Sequence, residues 1–134
     1  MSKYVFDGSA LISWIKGDIP REDTVKIEGI IVASTLVEVG SYLASMGMSQ
    51  GAFESLLDKL SLDVVELTEG LAIWAGFVND TLSFTDKCSL ALAKHEGLPL
   101  LTCNRYLTNS SLDIKVLMLA DLESSNTKND PIES

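Results

Sequence analysis

The feature that most constrains this chain is a repeated change of hydrophobic period, from short apolar runs to stretches spaced at three and four residues. Ile30-Ile31-Val32 is the clearest run, and it leads through Ser34-Thr35 into Leu36, Val39, Tyr42 or Leu43, and Met46 on one helical face. The same strand-then-helix change recurs along the sequence. Tyr4-Val5-Phe6 precedes Asp7-Gly8-Ser9, suited to a turn and a helix cap, and a short apolar helix over residues 10–15 that stops at Gly17. Ser49 caps a helix carrying Phe53, Leu56, Leu57 and Leu60, and residues 62–67 predict a third strand. Thr68 and Glu69 open a helix through Leu71, Trp74, Ala75 and Val78. The strongest helix follows Ser83-Phe84-Thr85, with Lys94 and His95 in its last turn and Gly97 as its stop. Residues 98–102 predict a buried strand, 104–109 a loop or single helical turn, and 114–119 a last strand. Such alternation gives an α/β fold, a mainly parallel sheet covered by helices on both faces.

The chain has 134 residues, 46% of them hydrophobic, enough for one core without disulfides or a structural metal. A single domain over residues 1–123 is expected, with 124–134 as a polar, flexible tail. Two cysteines, Cys88 and Cys103, without a basic-then-apolar leader point to a reducing cytoplasm, and both read as packed small hydrophobes. Residues 30–48 are the most apolar stretch, but Glu38 would lie near the middle of any span, so no membrane segment is expected. A net charge of −9 excludes binding nucleic acid through a broad basic surface. It leaves open a nuclease in which clustered carboxylates hold a cation that reverses the local sign seen by a phosphate.

Ligands of open α/β sheets bind where strand carboxyl ends give way to helix amino ends. Asp7 follows the first strand, Glu38 lies in the first turn after the second, Asp86 opens the helix after Ser83, and Asn104 follows the strand ending at Thr102. Each has an ordinary alternative. Asp7 could cap the following turn, Thr35-x-x-Glu38 matches a capping box, Asp86 complements a helix dipole, and Asn104 suits a turn. His95 is explained by the helix dipole, and Trp14 and Trp74 by the core or an interface. Lys87 and Arg105 flank the expected site and could meet phosphate.

Four segments together carry a family resemblance: residues 4–11 (YVFDGSAL), 34–39 (STLVEV), 82–93 (LSFTDKCSLALA) and 97–105 (GLPLLTCNR). They resemble a PIN domain of the VapC-like toxin type over nearly the whole chain except its tail. The resemblance implies a PIN-like three-layer α/β/α domain with a mainly parallel sheet. It places the family's acids on Asp7, Glu38 and Asp86, and its usual fourth acid on Asn104. Ser9 and Thr102 match hydroxyl residues near the first and fourth positions. The amide of Asn104 brings no charge and cannot act as a base.

The expected chemistry is metal-dependent hydrolysis of RNA. Asp7 and Asp86 would hold Mg²⁺ or Mn²⁺ directly or through water, Glu38 would position or deprotonate the attacking water, and Asn104 would orient a ligand water. Ser9, Thr102 and Arg105 are possible auxiliaries. The resemblance further implies a structured RNA such as tRNA or rRNA, a homodimer and a small antitoxin partner. A catalytically weak or inactive PIN-like module binding RNA or protein, and an RNA-processing nuclease, are the alternatives. A phosphoacceptor receiver domain would want paired acids after the first strand, and a haloacid-dehalogenase-like phosphatase a second Asp where Ser9 stands.

Overall fold

The computed structural model describes residues 2–17, 27–78, 81–109 and 112–121. Their order is β1 (Ser2–Phe6), α1 (Gly8–Ile15), β2 (Ile27–Val32), α2 (Ser34–Ser45), α3 (Gln50–Leu60), β3 (Asp63–Val65), α4 (Glu69–Gly76), α5 (Phe84–Glu96), β4 (Leu100–Thr102), a 3-10 turn (Arg105–Asn109) and β5 (Val116–Met118). The expected tail, 124–134, lies outside the described residues.

All strand pairs are parallel and the sheet order is β3-β2-β1-β4-β5. Val5 pairs with Ile30 on one side and Leu100 on the other. The chain winds outward from β1 through β2 to β3, then crosses back to lay β4 on the opposite flank of β1. The boundary between β1 and β4 is therefore the topological switch point, where the following loops diverge and leave a crevice.

Side chains alternate between sheet faces, so adjacent residues of one strand enter different cores. Val5, Ile30 and Leu100 join Leu71, Leu90, Leu92 and Leu107 under α4 and α5. Phe6, Ile31 and Leu101 join Leu11, Val39, Leu43 and Leu60 under α1, α2 and α3. Phe6 is fully buried and its ring packs on Trp14, 4.9 Å between centroids. With both faces covered, apolar runs such as Ile30-Ile31-Val32 need not alternate with polar residues.

Several boundaries differ from those expected for identifiable reasons. β4 begins at Leu100, because Pro99 has no N–H to donate, although its carbonyl accepts from Val5 N–H at 2.9 Å. β3 has only three residues, pairs with β2 alone, and stops ahead of the Thr68 cap of α4. α1 starts earlier than expected, at Gly8, because Asp7 caps it. Cys88 is buried as expected, but Cys103 is exposed, one residue past the end of β4. No described helix is long and apolar enough to cross a membrane.

Candidate active site

Asp7 sits at the end of β1 and is only 1% exposed. Its Oδ1 accepts from Ala10 N–H at 2.8 Å, capping α1, and from Ser9 Oγ at 2.7 Å. Its Oδ2 accepts from Thr102 Oγ, at the end of the neighbouring strand β4. The cap reading of Asp7 is thus correct, but it accounts for one oxygen. Three of roughly four carboxylate acceptor positions are taken, leaving Oδ2 with capacity for one more partner.

The β1–β4 boundary is stitched further by Ser9 and Thr102. Ser9 Oγ accepts from Cys103 N–H at 2.9 Å and lies 3.4 Å from Thr102 Oγ1, while Thr102 Oγ1 accepts from Asn104 N–H at 2.9 Å. These bonds fix the two loops that diverge at the switch point, so the two hydroxyl residues position Asp7 and the start of the Asn104 segment.

Asp86 is half-buried in the first turn of α5, whose cap is Ser83, with Asp86 N–H donating to Ser83 Oγ at 3.1 Å. The Asn104 side chain lies close enough to the Asp86 carboxylate to favour its charged form. Only the nitrogen end of an amide can favour a carboxylate's charge, and the oxygen end is engaged elsewhere: Oδ1 accepts from Tyr106 N–H at 3.0 Å, opening the 3-10 turn. The turn-residue reading of Asn104 therefore holds for one end, and the other acts on Asp86 at the start of α5.

Burial is the main cause that raises the Asp7 pKa above its ordinary value, against the lowering effect of Thr102, Ala10 and Ser9, with the Asp86 charge adding to the rise. Burial also raises Asp86, opposed by Ser83 and Asn104. Two desolvated acids that repel one another form a site whose charged state is strained without a compensating cation.

Glu38 comes from α2, and here the capping-box alternative fails. The cap position is Ala33, no side chain bonds the free amides, and Glu38 Oε1 is buried without a hydrogen-bond partner among the described residues. Its carboxylate instead lies against Gly8, the residue after Asp7. A Cβ on Gly8 would come within 2.6 Å of Glu38 Oε2. Gly8 thus has a function that the Asp-Gly-Ser turn signal conceals: it leaves space for a carboxylate from another helix. Thr35 Oγ1, Ser34 Oγ and Ser89 Oγ are likewise buried without partners among the described residues.

The oxygen donors, the spare capacity of Asp7, the strain between Asp7 and Asp86 and the unpartnered Glu38 oxygen fit a hard divalent cation. No three Asp, Glu, His or Cys residues among those described stand together closely enough to hold one between them. The fit is therefore to an ion held by Asp7 and Asp86 and completed by water, as Mg²⁺ commonly is.

The fold and site define an α/β domain of doubly wound topology with the coupled pair Asp7 and Asp86 at its switch point. The PIN domain model matches residues 4–109, and the chain belongs to that family. A comparison with curated protein sequences gives no match. Among solved structures, a toxin–antitoxin complex from Klebsiella pneumoniae superposes with a TM-score of 0.63 at 20% identity, covering 85% of this chain and 95% of that one. The Mycobacterium tuberculosis toxin VapC20, described as cleaving the sarcin–ricin loop, gives 0.58 at 16% identity over 85% and 99% of the two chains. PAE2754 from Pyrobaculum aerophilum gives 0.60 at 24% identity over 95% and 98%.

Proposed function

We infer that this protein is a metal-dependent endoribonuclease, the toxin of a toxin–antitoxin pair. The observation that carries the reading is the buried Asp7 carboxylate, held between β1 and β4 and electrostatically coupled to Asp86 on α5. Membership of the PIN family and likeness to two toxin structures support it at the level of class. Asp7 and Asp86 would hold the Mg²⁺ or Mn²⁺ ion, which when bound polarises a phosphoryl oxygen and stabilises developing charge. Glu38, with one oxygen uncommitted and space provided by Gly8, orients water and takes its proton. Asn104 favours the charged form of Asp86 and, with an N–H and a lone pair beyond its bond to Tyr106, orients a ligand water.

Structured tRNA or rRNA as substrate, a small antitoxin, a homodimer and a cytoplasmic location complete the proposal. Two observations favour a second reading, a PIN-like module that binds without cleaving: the fourth position is an amide, and no acid trio is assembled among the described residues. Purified protein incubated with several structured RNAs in Mg²⁺ or Mn²⁺, with an EDTA control, separates the two. Cleavage abolished by EDTA and by Asp7→Asn supports the nuclease. Calorimetric Mn²⁺ binding that disappears in Asp7→Asn supports the ion site independently of turnover. Absence of cleavage by a folded wild type across those RNAs favours the binding module.

A further inference from the structure

Four buried side-chain oxygens make no hydrogen bond with any described residue: Ser34 Oγ, Thr35 Oγ1, Glu38 Oε1 and Ser89 Oγ. A buried oxygen without a partner is costly, and in folded proteins such atoms are met by water. Three of the four belong to the opening of α2, which no side chain caps. At about 100° per residue, Glu38 projects between Ser34, about 40° to one side, and Thr35, about 60° to the other. Helical side chains lean toward the amino end, so the Glu38 carboxylate lies back over the turn that carries both hydroxyls. Thr35 is the inner of the two, 0% exposed against 8% for Ser34, and it shares a face with the core residue Val39 one turn on. Ser89 comes from α5. Helices α2 and α5 cover opposite faces of the sheet, yet they touch. Their contact is therefore made at the carboxyl edge of the sheet, where both begin. There Cys88 and Leu90 are held in the apolar core, and Ser89, buried between them, stands one turn beyond Asp86 on the side of α5 that carries that acid.

We propose that Thr35 and Ser89 are positioning residues, which hold Glu38 Oε1 through one buried water shared by the opening turns of α2 and α5. The inference rests on the ribonuclease reading and adds how its base is aimed. Thr35, Ser89 and Glu38 give this water three partners, the usual complement of a buried water. A carboxylate only accepts, whereas a hydroxyl both donates and accepts, so the water donates to Oε1 and is itself held by the two hydroxyls. A divalent ion in the same place would meet one carboxylate oxygen and two neutral hydroxyls, a poor set for so hard a charge. Glu38 as a residue is half-buried although Oε1 is closed off, so Oε2 is the oxygen that an attacking water, exchanging with solvent, meets. One oxygen fixes the carboxylate and the other takes the proton.

The test uses the full-length protein, calorimetric melting in EDTA, the NMR signal of the Glu38 carboxyl carbon in protein made with carboxyl-labelled glutamate, and RNA cleavage in Mn²⁺. Thr35→Val keeps the shape of the side chain and removes its hydroxyl. It should shift the Glu38 carboxyl signal, lower the melting temperature by about 4 °C, as loss of one ordinary hydrogen bond does, and cut kcat about 10- to 100-fold with KM and Mn²⁺ affinity unchanged. Thr35→Ser, which keeps the oxygen, should retain kcat. Ser89→Ala should match Thr35→Val, and the double variant should be no slower than either, because one change already releases the shared water. A Thr35→Val variant that melts at or above the wild-type temperature overturns the proposal, since valine stabilises where a buried hydroxyl had no partner. Losses that multiply in the double variant overturn the shared water, and an unchanged kcat in Thr35→Val overturns its hold on the base while leaving the nuclease standing. A folded wild type that cleaves no RNA, with the melting and carboxyl shifts as expected, supports the water and removes the ribonuclease reading.

Discussion

Asn104→Asp puts a carboxylate beside Asp86 in place of the amide that now favours its charged form. The replacement keeps an oxygen for Tyr106 N–H but loses the amide's favourable effect on Asp86 and sets two negative charges near one another. At about 4 Å and an effective dielectric of about 20, such a pair costs about 4 kcal/mol. Both residues are half-buried, so screening reduces this to about 2 kcal/mol in the metal-free protein. For a domain of this size, that lowers the melting temperature by about 8 °C. A divalent cation relieves the repulsion, and the same 2 kcal/mol returns as roughly 30-fold tighter metal binding. Differential scanning calorimetry in EDTA and Mn²⁺ titration calorimetry measure the two halves separately. RNA cleavage at subsaturating Mn²⁺ should rise with occupancy, and less so at saturation. A variant with unchanged metal-free stability and unchanged Mn²⁺ affinity would refute the reasoning, because neither the lost amide nor the added charge would then bear on Asp86.

The other predictions test separate parts of the site. Gly8→Ala should displace the Glu38 carboxylate and lower cleavage about 100-fold or more, with a small change in melting temperature because a flexible side chain can move aside; unchanged turnover would show that Glu38 does not act from this position. Asp7 and Asp86 have folded-state pKa values raised above 3.8, so their contribution to metal-free stability is full below about pH 3.8 and is lost as pH rises through the folded values. Mg²⁺ needs the deprotonated acids, and its increment to melting temperature should therefore be larger at about pH 7.5 than at about pH 4, a difference that Asp7→Asn should abolish. Phe6→Ala should cost about 3–5 kcal/mol in urea unfolding, since the ring is fully buried against Trp14.

The change of hydrophobic period was enough to expose the strand–helix alternation, because caps and stops such as Ser49, Thr68, Ser83 and Gly97 act locally and have local residue preferences. Strand order was not legible in the same way, since the neighbour that β1 acquires in β4 lies some ninety residues away and no local signal names it. The site divides along the same line. Asp7, Glu38, Asp86 and Asn104 could be picked out by where they stand at strand and helix ends, yet what each side chain does depends on pairings across the switch point. The capping-box pattern at Thr35 and Glu38 illustrates the difference: its spacing is correct, but helix α2 begins two residues too early for Thr35 to be the cap. Glu38 is therefore released from its own helix and directed toward Gly8 on another. Asn104 is the converse, a turn residue by type that does form its turn, with the remaining end of the same amide reaching Asp86. A local role and a role in the site coexist in Asn104 and in Asp7 because each side chain has two polar ends or two oxygens. A local explanation that uses one of them leaves the other to be accounted for, and at this edge of the sheet that second atom is what joins the elements into a site.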